Sequence, residues 1–226
     1  MIVLYLTEQQ VRELLPMGDA IRLVGEGFQA LGRGEAQSHP RRRLILPTGS
    51  VLHSMAGACG KYFGTKVYAT NPKFGAYFYF LLYDAATAKP LAMIEANWLG
   101  QIRTGAATGF ATDRLARKSA LVLAVIGSGF QARSQMEALL AVRNFDEVRV
   151  WSRSKEKCEM FVTDNSAVRG IRVAESAEAC RRGADVVVTM TSAREPVLKA
   201  EWVSEKAHVI GAGTAHRLRF RGTCAD

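Results

Sequence analysis

The sequence predicts an α/β protein, a Rossmann-type parallel-sheet domain preceded by an N-terminal α+β sheet domain. Three observations carry that prediction. The second half alternates buried strands with helical patterns: "ALVLAVIG", "QARSQMEALLAV", "EVRVWS", "KEKCEMFVTD" and "ADVVVTMT" follow one another as a doubly wound sheet requires. The first half is a run of β-rich segments interrupted by glycine and proline, which reads as an antiparallel meander with one face on helices. The character changes after "ARKSA", so the boundary is expected near Lys118, giving domains 1–118 and 119–226.

The chain begins with a short strand, "IVLYL", and Thr7 with Gln10 forms a capping box for a helix through Leu15. A second helix follows Pro16. Its apolar positions Ile21, Val24, Phe28 and Leu31 recur at helical spacing, and Gly32 and Gly34 mark its stop. The strands "RRLIL", "SVLHSMAG", "FGTKVYAT" and "AYFYFLLYD" come next, and "DAATAKP" turns the chain into "LAMIEA". A helical pattern returns from Asn97 to about Arg117.

With 226 residues and 48% hydrophobic content the chain is long enough to bury a substantial core. Its four cysteines, Cys59, Cys158, Cys180 and Cys224, form no CxxC pair, which argues against a zinc site or a disulfide framework and favours a reducing, cytoplasmic setting. No apolar run approaches the roughly 18 residues of a membrane span, so no membrane partner is expected. The net charge of +9 comes from dispersed Arg and Lys residues, apart from Arg41 to Arg43 and the end "RLRFRG". That dispersion disfavours nucleic acid and fits a basic enzyme with a small anionic substrate.

The stretch "VIGSGFQAR" places a glycine-rich corner between a strand and a helix. Gly127 permits the tight turn, Gly129 lets the backbone approach a pyrophosphate, and Ala132 keeps helix and strand close. Ser128, Phe130 and Gln131 complete the corner. A bare GxGxxA is also compatible with a glycine turn that merely packs, but its place inside a βαβ unit points to dinucleotide binding. At the end of the second strand, "VWSRS" carries Ser152, Arg153 and Ser154 where an acid would accept hydrogen bonds from a ribose 2′-hydroxyl. A neutral serine beside a planar cation favours NADP(H), with NAD(H) possible. A second glycine corner, "HVIGAGTAHR", has His216 in place of the third small residue and no helix after it. It reads as the loop after a late sheet strand.

The first domain offers cations. Lys66 interrupts a strand of apolar and small residues, and Arg103 precedes a run of small residues suited to close helix packing. With Arg41, Arg42 and Arg43 they form a candidate carboxylate clamp. The bland alternatives are an edge-strand lysine that blocks aggregation and an arginine on a helix surface. His53 and Glu95 are candidate acid–base groups, weighed against structural hydrogen bonding.

In order along the chain, "GTKVYATNPK", "EANWLGQIRTGAATG", "VIGSGFQAR" and "VWSRS" resemble the ornithine cyclodeaminase/mu-crystallin family, over almost the whole chain. The resemblance implies a Rossmann domain joined to a sheet domain that forms a homodimer. It also implies that Lys66, Arg103 and Arg42, in "PRR", bind the substrate carboxylate, that Thr104 touches the cofactor phosphates, and that Thr189, Met190 and Thr191 border the nicotinamide.

Family members cyclise ornithine to proline, dehydrogenate amino acids or reduce cyclic ketimines. The cyclodeaminases carry an aspartate in the loop of the second glycine corner, where this chain has Ala215. Without that carboxylate the proton transfers of ring closure and ammonia release lack an agent in the loop. An NAD(P)-dependent reductase or dehydrogenase for an amino or imino acid is therefore expected ahead of a cyclodeaminase. The third alternative is a non-catalytic NADPH-binding protein or an inactive product. Family members continue past this end, and "GTAHRLRFRGTCAD" does not match their continuation, so a truncated Rossmann domain of doubtful activity is expected.

Overall fold

The computed structural model describes residues 3–191, 193 and 197–213. Contacts divide the chain into two units, Met1–Arg103 and Thr104–Asp226.

In the first unit, β1 (Leu4–Leu6) leads into α1 (Glu8–Leu14) through the expected capping box: the Thr7 hydroxyl accepts from the Gln10 amide, and the Gln10 side chain accepts from the Thr7 amide at 2.9 Å. Next, α2 (Met17–Gly32) buries Met17, Ala20, Gly25 and Ala30. Of the apolar positions read from its spacing, Ile21 and Val24 are half-buried, whereas Phe28 and Leu31 remain exposed. The helix lies on its small residues, so its larger side chains at the far end face outward.

The meander is β2 (Ala36–Ser38), β3 (Arg42–Ile45), β4 (Val51–Cys59), β5 (Tyr62–Asn71), β6 (Gly75–Asp84) and β7 (Pro90–Glu95). The strands pair antiparallel, with β2 and β3 sharing one edge of β4, and β1 adds to β7 in parallel. The sequence prediction of an antiparallel sheet thus holds for all but β1. The helix α3 (Asn97–Leu115) begins on a borrowed cap: the Glu8 carboxylate accepts from the Asn97 and Trp98 amides at 2.6 and 2.7 Å. Carboxylates at a helix start satisfy unpaired N–H groups and favour the dipole.

The division between the units falls inside α3, earlier than the boundary expected near Lys118. The reason is packing. Gly105 lies against the Ser134 backbone so closely that a Cβ would clash. At the far end of α3, buried Arg143 donates to the carbonyl groups of Asp113 at 2.9 Å and Thr112 at 3.3 Å, and to the Asp113 carboxylate at 2.8 Å. The Thr112 carbonyl also accepts from the Ala116 amide at 3.0 Å, and Arg143 adds a charged donor to this last turn of the helix.

The second unit continues with β8 (Val122–Ile126), α4 (Phe130–Val142), β9 (Glu147–Trp151), α5 (Lys155–Asp164), β10 (Ile171–Val173), α6 (Ala177–Arg181), β11 (Val186–Thr189) and β12 (His208–Gly211). Its sheet is parallel throughout, in the order β10-β9-β8-β11-β12. That is the strand order of the dinucleotide-binding fold. Leu123 and Val125 pack on one side with Met136, Leu139 and Phe161, and Ala124 and Ile126 on the other with Cys180 and Leu198. Helix cover on both faces explains why β8 reads as a continuous apolar run. Each such buried branched side chain contributes about 1.5–3 kcal/mol.

The second glycine corner follows a sheet strand, as read: β12 pairs with β11, and the Ala212 and Gly213 amides donate to the Thr189 carbonyl. Ala215, His216 and Cys224 lie outside the described residues. Cys59, Cys158 and Cys180 are free, and among the described residues no His/Cys/Asp/Glu cluster has metal-binding geometry. No described helix is long and apolar enough to cross a membrane.

Candidate functional site

In the second unit the glycine corner is built from β8 outward. Gly127 has a φ of +114°, and a Cβ there would stand 2.6 Å from the Met190 carbonyl oxygen. Its amide donates to the Trp151 carbonyl at 2.8 Å, so the corner is drawn over the ends of β9 and β11. Gly129 starts α4 at an ordinary φ of −83°, with no side-chain cap and nothing within 4 Å of where its Cβ would be. Its value is the open space it leaves beside helix-start amides, which is what a pyrophosphate needs. Ala132 is fully buried and closes a turn back to the Gly129 carbonyl at 2.9 Å.

A cavity of about 300 Å³ opens here, lined by Gly127, Ser128, Gly129, Ser152, Arg153, Ser154, Lys157, Met190 and Thr191 among others. No Asp or Glu is among its described lining residues. The Ser128 hydroxyl donates to the Ser152 hydroxyl at 3.0 Å, which donates to the Ser154 carbonyl at 2.8 Å; the two chain segments that frame the cavity are thereby tied. Ser154 caps α5 by accepting from the Lys157 amide. The residues present therefore fit a dinucleotide.

The structure does not bring every expected cofactor residue to this wall. Phe130, Gln131 and Ala132 lie on α4 outside the lining, with Phe130 exposed and the Gln131 Oε1 buried without a hydrogen-bond partner. Thr189 is buried within β11, where its hydroxyl donates to the Ile210 carbonyl at 3.4 Å, so it is held by the sheet and Thr191 takes the lining position. Thr104 stands half-buried next to Gly105, on the turn of α3 that touches α4.

In the first unit the cations converge. Lys66 stands on β5, paired on both sides by β4 and β6, so it is not the edge lysine of the bland reading. Its Nζ lies 4.9 Å from the centre of the Phe78 ring and 5.4 Å from that of Tyr68. Arg41 sits over Tyr68 at 5.8 Å. Burial, then Arg103, then Arg41 lower the Lys66 pKa from 10.5 to about 8. Partial desolvation and then Arg41 lower that of Arg103 as well, although its side chain keeps an exposed face. Aromatic faces compensate part of the cost of an ammonium taken from water. A carboxylate would compensate more.

Arg42 is the member of the clamp that the structure moves. It pairs with Ser54, whereas Arg43 pairs with His53, and successive side chains on a strand leave on opposite faces. His53, Tyr68 and Lys66 share one face, and Arg42 departs from the other; Arg41 takes the place beside Lys66. Two positions escaped the sequence reading: Gly100, against which the Lys66 ammonium lies, and Lys157 in the cavity at the glycine corner. A glycine inside a helix was the available signal for the first.

The two acid–base candidates fall to structural roles. Glu95 accepts from the Tyr5 hydroxyl and the Glu8 amide, both at 2.7 Å, and these bonds hold its carboxyl below the usual range. His53 stacks on Tyr68 at 4.2 Å and shares a 3.1 Å hydrogen bond with Thr70. Burial, then Arg43 and Arg41, lower its pKa and so disfavour the imidazolium.

The model of the ornithine cyclodeaminase/mu-crystallin family matches residues 3–217. Alanine dehydrogenase of Archaeoglobus fulgidus is 35% identical over 222 residues, covering 94% of this chain and 67% of the relative. Ketimine reductase mu-crystallin of Mus musculus is 38% identical over 136 residues, covering 60% of this chain and 42% of the relative. Among solved structures, an archaeal alanine dehydrogenase dimer with bound NAD superposes with a TM-score of 0.87 at 34% identity, over 92% of this chain and 67% of the other. The Δ1-pyrroline-2-carboxylate reductase of Thermococcus litoralis, in complex with NADH and L-proline, gives 0.86 at 29% identity, over 93% and 69%. The chain thus spans about two thirds of the length of these structural relatives.

Proposed function

This chain belongs to the ornithine cyclodeaminase/mu-crystallin family, and from that premise we propose that it is an NAD(P)-dependent oxidoreductase for an amino or imino acid. The observation that carries the reading is the group Arg41, Lys66 and Arg103, none of which forms an ion pair among the described residues. Gathered cations without an acid await an anion, and the α-carboxylate of an amino or imino acid is one. Lys66 offers a point charge and the arginines a bidentate fork. Gly127 to Gly129 and Ser152 to Ser154 would hold the nicotinamide cofactor, which would supply hydride chemistry when bound. The protein's own contribution is to fix the carboxylate, exclude water and orient the acceptor carbon.

NADP(H) is the proposed cofactor, because Arg153 lines the cavity at the glycine corner and no described residue lining that cavity is an acid. Reduction of a preformed cyclic 2-imino acid asks least of the residues in hand, since the imine nitrogen arrives protonated and neither His53 nor Glu95 is free for repeated proton transfer. A cyclodeaminase is the second reading, and it turns on the loop around Ala215. A cytoplasmic homodimer completes the proposal: Phe28, Leu31, Phe74 and Tyr77 are exposed on the first unit, where a second copy would cover them.

The test is steady-state consumption of NADPH with Δ1-pyrroline-2-carboxylate, alongside ornithine with catalytic NAD. NADPH oxidation with the imine and no proline from ornithine is expected. Proline and ammonia from ornithine would overturn the reading in favour of cyclodeamination.

A further inference from the structure

We propose that Lys157 is a cofactor-specificity residue, the second cation, with Arg153, on the 2′-phosphate of NADP(H); this rests on the cofactor reading above. Lys157 lines the same cavity as Ser152, Arg153 and Ser154. It stands in the first turn of α5, where a positive charge works against the helix dipole. Its own amide is spent on the Ser154 cap, so the helix start is already ordered around it.

The neighbouring lysine shows what an ordinary placement looks like. Lys155 points to Glu159 one turn on, at 3.8 Å, and lines the adjoining cavity, which contains Glu159 and Glu175 and shares Ser152 and Arg153 with the first; Lys157 lines the first cavity and not this one. Lys157 has no carboxylate partner among the described residues, and neither has Arg153. Two cations of unlike geometry thus border a cavity with no acid among its described lining residues, at the strand end that distinguishes a 2′-hydroxyl from a 2′-phosphate. A dianionic phosphate there would accept hydrogen bonds from a planar guanidinium and a mobile ammonium, with the start of α5 adding its amide field.

Both side chains are exposed or at the rim, so substitution leaves the fold intact. The experiment is equilibrium binding of NADPH, NADH, 2′,5′-ADP and 5′-ADP to the wild type, Lys157→Gln, Lys157→Arg and Arg153→Gln, by cofactor fluorescence and calorimetry. Lys157→Gln is expected to weaken NADPH and 2′,5′-ADP about tenfold, the scale of one charge-assisted hydrogen bond, and to leave NADH and 5′-ADP within about twofold. Lys157→Arg should restore most of the loss. If the wild type prefers NADPH but Lys157→Gln weakens all four ligands alike, or none, the assignment of Lys157 is overturned and the cofactor reading survives. A wild type that prefers NADH overturns both.

Discussion

The ammonium of Lys66 lies 2.7 Å from the point that a Cβ on Gly100 would occupy. A glycine inside α3 is therefore the space in which the charged end of a β5 lysine rests, between that helix and the rings of Tyr68 and Phe78.

Gly100→Ala separates stability from binding. The clashing atom is the end of a flexible side chain, so the fold gives way cheaply, and alanine favours a helix interior by about 1 kcal/mol. The variant should melt at or above the wild-type Tm while its KM for the imino acid rises about tenfold, one lost charge-assisted contact. In a Lys66→Met background the same substitution should add almost nothing, because both act on one group. An unchanged KM in Gly100→Ala would dissociate the two residues.

Strand parity gives a sharper comparison. Arg41→Ala should weaken carboxylate binding by about 1.5–3 kcal/mol, whereas Arg42→Ala, on the opposite face, should stay within about 0.5 kcal/mol. Inhibition constants for a carboxylate product such as L-proline measure both. The reverse ranking would restore Arg42 to the clamp and refute the register.

The lowered Lys66 pKa sets a pH dependence of defined sign. Below pH 8 the side chain is charged folded and unfolded alike, and its burial penalty is fully present; from about 8 to 10.5 the folded state sheds the proton first, so this group's contribution to stability rises with pH. Carboxylate binding runs the other way, since it requires the ammonium. At pH 9 binding should take up a proton, seen in calorimetry as a heat that depends on the ionisation enthalpy of the buffer. Equal proton uptake in the wild type and in Lys66→Met would exclude Lys66 as its source.

Gly127 has no room to vary. A side chain there meets the Met190 carbonyl and a positive φ together, so Gly127→Ala should cost about 1–3 kcal/mol and abolish detectable NADPH binding. Gly129→Ala meets no protein atom and keeps an ordinary φ, so it should retain stability and lose cofactor affinity alone. Chemical denaturation with parallel cofactor titration distinguishes them, and a destabilised Gly129→Ala would contradict the geometry.

Local chemistry was legible in the sequence by itself. The Thr7–Gln10 capping box, the apolar run of β8 and the glycine corner each depend on residues a few positions apart, so spacing and residue type determine them. The βα alternation likewise identified the parallel sheet, because only strands covered on both faces read as unbroken apolar runs. Tertiary structure decided what depends on register and on approach from distant segments. Strand parity turns Arg42 away from Lys66, and the β3–β4 pairing sets that parity; Arg41 is placed by its approach to the Tyr68 ring. Glu95 is consumed by Tyr5 and Glu8, partners about ninety positions away, and Gly100 matters only because β5 delivers an ammonium to it. Side-chain direction and long-range contact are properties of the assembled sheet and helices, and no window of neighbouring residues contains them.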